Sequence, residues 1–202
     1  MTADWQRGGI VTGPVAGPDR TVVLKLGGSL LTLPNWPARI ADLVDDVRQS
    51  AATLIIVVGG GPPVDGLRAI DAAAPQTADL MDRLAIESLR LSATLVATAL
   101  GLPLTRSLRR PPSACVLDAA GWMARGGHRH GLPVGWHVTS DSIAAAVAAA
   151  SRADLILAKR VPPPADATDV EALAAAGWID PHFPLAARCL RAIGWAAPSA
   201  DR

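Results

Sequence analysis

The sequence predicts an α/β fold with a mainly parallel central sheet, and three observations lead there. Residues 22–29 read Val-Val-Leu-Lys-Leu-Gly-Gly-Ser, residues 54–58 read Leu-Ile-Ile-Val-Val, and residues 154–159 read Asp-Leu-Ile-Leu-Ala-Lys. Short apolar runs without polar alternation are the pattern of strands covered on both faces. Between the first two runs, residues 38–50 set Ile40, Leu43, Val44 and Val47 on one helical face. A strand, a helix and a second strand of these lengths form a βαβ unit, which requires a parallel pair and a right-handed crossover.

Composition bounds the function. A chain of 202 residues, half of them hydrophobic, is long enough to bury about 70% of its unfolded surface. The expected organisation is a flexible N-terminal tail over residues 1–20 and a single domain over residues 21–202. The tail has no continuous apolar run, so it reads as neither signal peptide nor anchor. The longest low-polarity stretch, residues 143–150, is too short to span a bilayer, so no membrane partner is expected. A net charge of +1, no basic block, one Phe and no Tyr disfavour nucleic acid. Cys115 and Cys189 match no metal or redox spacing, and reduced thiols in a cytoplasmic protein are the default.

Lys25 is the anomaly of the first strand, because an ammonium group in a doubly covered strand must reach solvent or an anion. Gly27 and Gly28 follow it, and their N–H groups, free of Cβ atoms, suit a phosphate. A snorkelling lysine before an ordinary turn is the plainer alternative. Residues 30–37 carry two prolines and read as loop. The second strand ends in Gly59-Gly60-Gly61-Pro62-Pro63, where open α/β sheets place ligands, with a helix starting at Pro62 or Pro63. This is neither a phosphate-binding Walker loop nor a dinucleotide fingerprint. Arg68, on that helix, is suited to clamp a phosphate, or it is a solvated helix charge.

Residues 77–100 give the longest helical pattern, with Leu80, Leu84, Leu91 and Leu95 expected in the core and Gly101 as the stop. Asp82 and Arg83 are expected to be exposed or paired within the helix, with Arg83 as a possible substrate contact. Residues 102–108 and 115–117 are weaker strand candidates. Residues 126–131, Gly-Gly-His-Arg-His-Gly, read as a basic loop that suits a lid over phosphates better than a metal site. Thr139 or Ser140 caps a helix over residues 143–151. Asp141 in its first turn has two readings, a favourable partner for the helix dipole or an anion that fixes lysines. The third strand places Lys159 at its carboxyl end, as the first places Lys25. A helix over residues 168–176 follows a proline linker, residues 177–184 are loop, and residues 185–195 close the fold.

Lys25-Leu26-Gly27-Gly28-Ser29, Val57-Val58-Gly59-Gly60-Gly61 and Thr139-Ser140-Asp141-Ser142, in that order, resemble the motifs of the amino acid kinase superfamily over roughly residues 21–161. The resemblance implies a three-layer αβα sandwich that transfers the γ-phosphoryl group of ATP, with Mg²⁺, to a carboxylate, carbamate or phosphate. Lys25 then stabilises the transferring group. Gly27, Gly28 and Ser29, with Thr139 and Ser140, hold phosphate and nucleotide. Gly59, Gly60 and Gly61, with Arg68, bind the acceptor, and Asp141 orients the catalytic lysines. No metal ligand is assigned to the protein itself, Mg²⁺ being held through ATP. Many members place Ser/Thr-Asp where this chain has Lys159-Arg160, and add a Gly-Gly-Met segment with a second lysine, which this sequence lacks. Lys159 either stands in for that lysine or only touches nucleotide, and it is counted with the phosphate- and nucleotide-binding residues.

Within the superfamily, residues 79–86 and 136–144 most resemble the small kinase of methanofuran-type cofactor synthesis. That kinase converts aminomethyl-furanmethanol phosphate to its diphosphate. The implied partner is a small-molecule phosphate acceptor, and a homo-oligomer is expected. The rival enzyme readings are kinases of a carboxylate, a nucleoside monophosphate or an isoprenoid phosphate. The rival of another class is a nucleotide- or oxyanion-binding protein without catalysis.

Overall fold

Strand β2 (Gly17–Leu26) lies at the centre of a seven-stranded sheet and carries Lys25 into it. The structure is a computed structural model that describes residues 5–11, 17–125, 131–167 and 169–199. Beside β2 run β3 (Ala51–Val58) and β6 (Asp154–Ala158), both parallel to it. The sheet continues beyond β3 through β5 (Ala114–Leu117) to the short β4 (Leu104–Thr105). Beyond β6 it continues through β7 (Ile193–Pro198), parallel, to β1 (Trp5–Val11), the one antiparallel strand. The spatial order is β1-β7-β6-β2-β3-β5-β4.

Helices cover both faces, so the fold is the three-layer α/β sandwich that the sequence predicts. Alternation along the strands divides the core in two. Val22, Leu24 and Leu26 of β2 and Leu54, Ile56 and Val58 of β3 pack with Ile40, Leu43, Val44 and Val47 of α1 (Trp36–Gln49). Val23, Ile55 and Val57 face the other way, onto Ile143, Ala144 and Ala148 of α5 (Ser140–Ser151). The alanines let α5 lie close to the sheet. Lys25 shares the parity of Val23 and therefore sits under α5. The same layer holds α4 (Ala119–Arg125), α6 (Val170–Ala175) and α7 (Phe183–Ala187).

Several expectations need correction. Residues 5–11 are not tail. They form edge strand β1, because Gly8 lets the segment lie against Trp195 of β7, where a Cβ would come within 2.4 Å of the indole, and Trp5 Nε1 donates to the Arg39 carbonyl at 3.1 Å. Gly17–Arg20 likewise begins β2. Helix α3 (Ala78–Leu100), capped by Thr77 and ended by Gly101 at φ +63°, is where expected, but its buried face is not. Leu84, Leu91 and Leu95 are 38%, 64% and 51% exposed, and Met81, Ser88, Leu89, Ser92, Ala93, Val96 and Ala97 are buried. Small side chains bring the helix close to its neighbours. Ser88 and Ser92 bury cheaply, since their hydroxyls donate to the carbonyls of Leu84 and Gly60. The strand expected over residues 102–108 is reduced to β4. Residues 28–32 form a 3₁₀ turn rather than open loop, and Pro37 opens α1 in its first turn. The start of the expected 168–176 helix falls partly on residue 168, which lies outside the described residues, as does most of the 126–131 loop. Among the described residues no helix is long and apolar enough to cross a membrane. Cys115 and Cys189 are both free thiols.

Candidate functional site

The carboxyl ends of the parallel strands share one level. Leu26 pairs in register with Val58 on one side and Ala158 on the other, so Gly27, Gly59 and Lys159 leave the sheet together. Lys25, one residue earlier, is 5% exposed and reaches Asp141 Oδ1 at 2.7 Å. Lys159 donates to Asp141 Oδ2, also at 2.7 Å. Two ammonium groups from neighbouring strands thus converge on one buried carboxylate. Lys25 and Lys159 are the only lysines in the chain, the other basic residues being arginines and four histidines. A compact ammonium that can shed its proton or change partners has been kept for this place alone.

Electrostatics follow from burial. Burial pushes the Asp141 carboxyl upward, but the charges of Lys25 and Lys159 and their hydrogen bonds outweigh it and hold the group below its ordinary value. Lys159 is pulled down to about 8, first by burial and then by the charge of Lys25, against the opposing pull of Asp141 and Asp180. Its ammonium also donates to the Trp178 carbonyl at 2.5 Å and lies 4.9 Å from the centre of the Trp178 ring.

Asp141 lies in the first turn of α5, as the dipole reading has it, and holds both lysines, as the orienting reading has it, and a second carboxylate serves the same N-terminus. Asp180, itself buried, accepts from the Thr139 amide at 2.9 Å, the Thr139 hydroxyl at 2.8 Å, the Ser142 amide at 3.0 Å and the Ser142 hydroxyl at 2.6 Å. Thr139 is the N-cap. Its amide and hydroxyl are spent on Asp180, so Thr139 supports the site instead of offering these groups to a phosphate. Ser140 stands over Gly59: a Cβ on that glycine would come within 2.9 Å of the Ser140 hydroxyl.

The glycine turns pack on each other. A Cβ on Gly28 would lie 2.1 Å from the Gly61 nitrogen, and Gly61 holds φ +58°, which disfavours any side chain. The Gly27 amide is not a phosphate donor as expected, since it continues the sheet ladder onto the Ala158 carbonyl at 2.8 Å, and the Gly59 amide does the same onto Leu26. Ser29 is exposed on the 3₁₀ turn at the rim.

Beside the lysines, Gly28, Gly60, Gly61 and Ser140 border a cavity of about 190 Å³ whose far wall is Arg68, Asp82, Ile86, Leu89 and Trp136. The guanidinium of Arg68, on α2 (Pro62–Ala73), lies 5.3 Å from the centre of the Trp136 ring and pairs with Asp65 at 3.1 Å. Trp136 is fixed from behind, its Nε1 donating to Asp71 at 2.8 Å. Asp82 is buried in the cavity wall and accepts from the Gly135 amide at 3.1 Å, whereas Arg83 and Asp79 are exposed. The leucines as inner face would put Asp82 outward, whereas the spacing Asp82, Ala85, Ile86, Leu89 is the sequence signal for the face that is turned inward. Trp178 and Asp180 fall in a stretch without regular pattern, so no sequence signal marks them.

A search against protein-family models matches residues 20–163 to the amino acid kinase family. The chain belongs to that family. The uridylate kinase of Archaeoglobus fulgidus superposes with a TM-score of 0.60 at 19% identity, covering 88% of this chain and 91% of that one. The aspartate kinase of Synechocystis superposes with a TM-score of 0.61 at 17% identity, covering 90% of this chain and 40% of that one. At these identities the likeness is one of fold. No curated protein matches the sequence significantly.

Proposed function

We propose that the protein is an ATP-dependent kinase that passes the γ-phosphoryl group to a small acceptor already carrying a phosphate. The observation that carries this reading is the pair of buried lysines on Asp141 at the carboxyl edge of the sheet. Phosphoryl transfer needs positioning and neutralisation of charge more than covalent chemistry from the protein. An oxygen of the acceptor phosphate attacks the γ-phosphorus, the bond to the bridging oxygen breaks, and ADP leaves with that electron pair. Lys25 and Lys159 meet the charge on the transferring group. Asp141 keeps them apart and oriented. The donor fits the residues present: two desolvated ammonium groups sharing one carboxylate favour a polyanion, and the Asp141 Oδ1 contact to Lys25 is an ion pair without an aligned hydrogen bond. In this reading Mg²⁺ travels on the triphosphate and supplies further charge neutralisation there.

The cavity supports a small acceptor, being below the roughly 300–1,000 Å³ of ordinary ligand pockets. Arg68 suits the acceptor phosphate, the Trp136 ring offers a flat apolar wall, and Asp65 and Asp82 suit an amine. That combination favours aminomethyl-furanmethanol phosphate, converted to its diphosphate. In the same reading the chain pairs with a second copy, which the exposed Leu84, Leu91 and Leu95 row supports. The test is incubation with ATP, Mg²⁺ and a panel of furanmethanol phosphates, nucleoside monophosphates, isopentenyl phosphate and acetylglutamate, read by mass and phosphorus NMR. A diphosphate from a phosphorylated acceptor is expected. An acyl phosphate alone overturns the acceptor, and nucleotide binding without acceptor-dependent ADP release overturns the kinase.

A further inference from the structure

The family match ends at residue 163, yet both groups that hold the lysine centre from behind lie beyond it. Trp178 meets Lys159 twice, through its carbonyl and through its ring. The ring is anchored in turn, its Nε1 donating to the Val161 carbonyl at 3.1 Å. Two residues on, Asp180 gathers five hydrogen bonds, four from Thr139 and Ser142 and one from the His182 amide at 3.1 Å. Thr139 and Ser142 bracket Ser140 and Asp141, so Asp180 determines where the first turn of α5 stands, and with it the Asp141 carboxylate.

We infer that residues 178–180 are the positioning segment of the transfer centre: Trp178 sets Lys159 and Asp180 sets Asp141, so that the spacing of the two lysines is fixed by chain outside the family match. The inference rests on the kinase reading for its purpose, though not for its geometry. A carboxylate this buried needs full satisfaction, and Asp180 has it from Thr139, Ser142 and the His182 amide. The charged groups facing Lys159 are Lys25 from β2, Asp141 from α5 and Asp180 from the segment itself. Of the two carboxylates, Asp141 touches the ammonium and Asp180 acts on it by charge. Its influence is therefore partly through space and partly through α5.

Because the chain has only two lysines, lysine labelled with ¹³C and ¹⁵N gives two side-chain signals in NMR, one for each residue. The experiment uses the full chain, titrated from neutral to alkaline pH as wild type, Asp180→Asn, Trp178→Phe and Ser142→Ala. In Asp180→Asn the Lys159 signal is expected to lose about tenfold in proton affinity, since an anion that favours its charged form is gone. The Lys25 signal is expected to move as well, because Asp141 shifts with its helix turn. Ser142→Ala keeps the charge, removes one 2.6 Å bond and serves as the milder variant should Asp180→Asn fail to fold; it should move both signals in the same sense by a smaller amount. Trp178→Phe should change Lys159 and leave Lys25 alone. With an active acceptor in hand, Asp180→Asn should lower kcat and leave the acceptor KM near its wild-type value. Folded variants whose Lys159 signal titrates as in wild type and whose Lys25 chemical shift is unmoved overturn the positioning role, whatever the turnover. Altered titration in a protein that phosphorylates nothing upholds it and overturns the kinase reading alone.

Discussion

Two buried aspartates sit at the same edge of the sheet, each between two cations, and they differ in the cations chosen. Asp141 is held by Lys25 and Lys159. Asp118, fully buried just after β5, is held by the Nε groups of Arg90 at 3.0 Å and Arg106 at 2.9 Å, with the Gly121 amide at 2.9 Å. Burial pushes Asp118 upward, but the Gly121 amide and the two guanidinium groups outweigh it and keep the carboxyl below its ordinary value. Guanidinium forks fix planar geometry and do not titrate, so the arginine centre is a strut joining α3, β4 and α4. Ammonium groups are compact and free to rotate among partners. The lysine centre, whose cations are far more buried than the two arginines, can therefore change partners without surrendering its carboxylate.

The largest effect that separates the two centres should come from Asp141→Asn. It strands two buried ammonium groups, so a loss of about 3–5 kcal/mol in unfolding free energy is expected, together with collapse of turnover. If Asp141 served only the helix start, Asn would keep that role, and a denaturant titration showing a loss below about 1 kcal/mol would favour it.

Next comes Lys25→Ala, which leaves Asp141 paired with Lys159. Turnover should fall about a hundredfold or more, while the melting temperature changes little by comparison. Lys25→Arg should not rescue it, because a fork cannot occupy the space of a point charge at this depth. Near-normal rates for either variant would remove the lysine centre from the chemistry.

Asp118→Asn should cost less, about 1–3 kcal/mol, since Arg90 and Arg106 are partly exposed and return to water. Both lysine titrations should be unchanged and turnover per folded molecule within about twofold of wild type. A larger kinetic effect would mean that the arginine centre shares in function.

The finest contrast is with pH. Lys159, lowered to about 8 from an ordinary 10.5, should lose its proton on that alkaline limb, so kcat/KM falls through pH 8 and kcat falls at higher pH once triphosphate favours the charged form. Stability should move oppositely. Between about pH 8 and 10.5 the unfolded chain holds this proton and the folded chain has released it, so the Lys159 contribution to unfolding free energy rises with pH and is lost as pH falls through 8. Lys159→Arg should abolish this alkaline dependence of stability, and its persistence would assign the titration to another group.

The sequence by itself determined the parallel core, the order of its motifs and most of the carboxyl-edge residues. Residues 22–26, 54–58 and 154–158 are too uniformly apolar for anything but doubly covered strands, and a lysine or glycine turn at each end is conspicuous against them. The tertiary structure alone decided which way α3 faces, that residues 5–11 pair with β7, and that Asp82 enters the cavity. It also decided that Asp180 and Trp178 stand behind the lysines. The reason lies in the range of the interactions. Strand burial and turn chemistry leave a local, periodic trace, whereas a lone aspartate that braces a helix 38 residues earlier leaves none until the chain has folded.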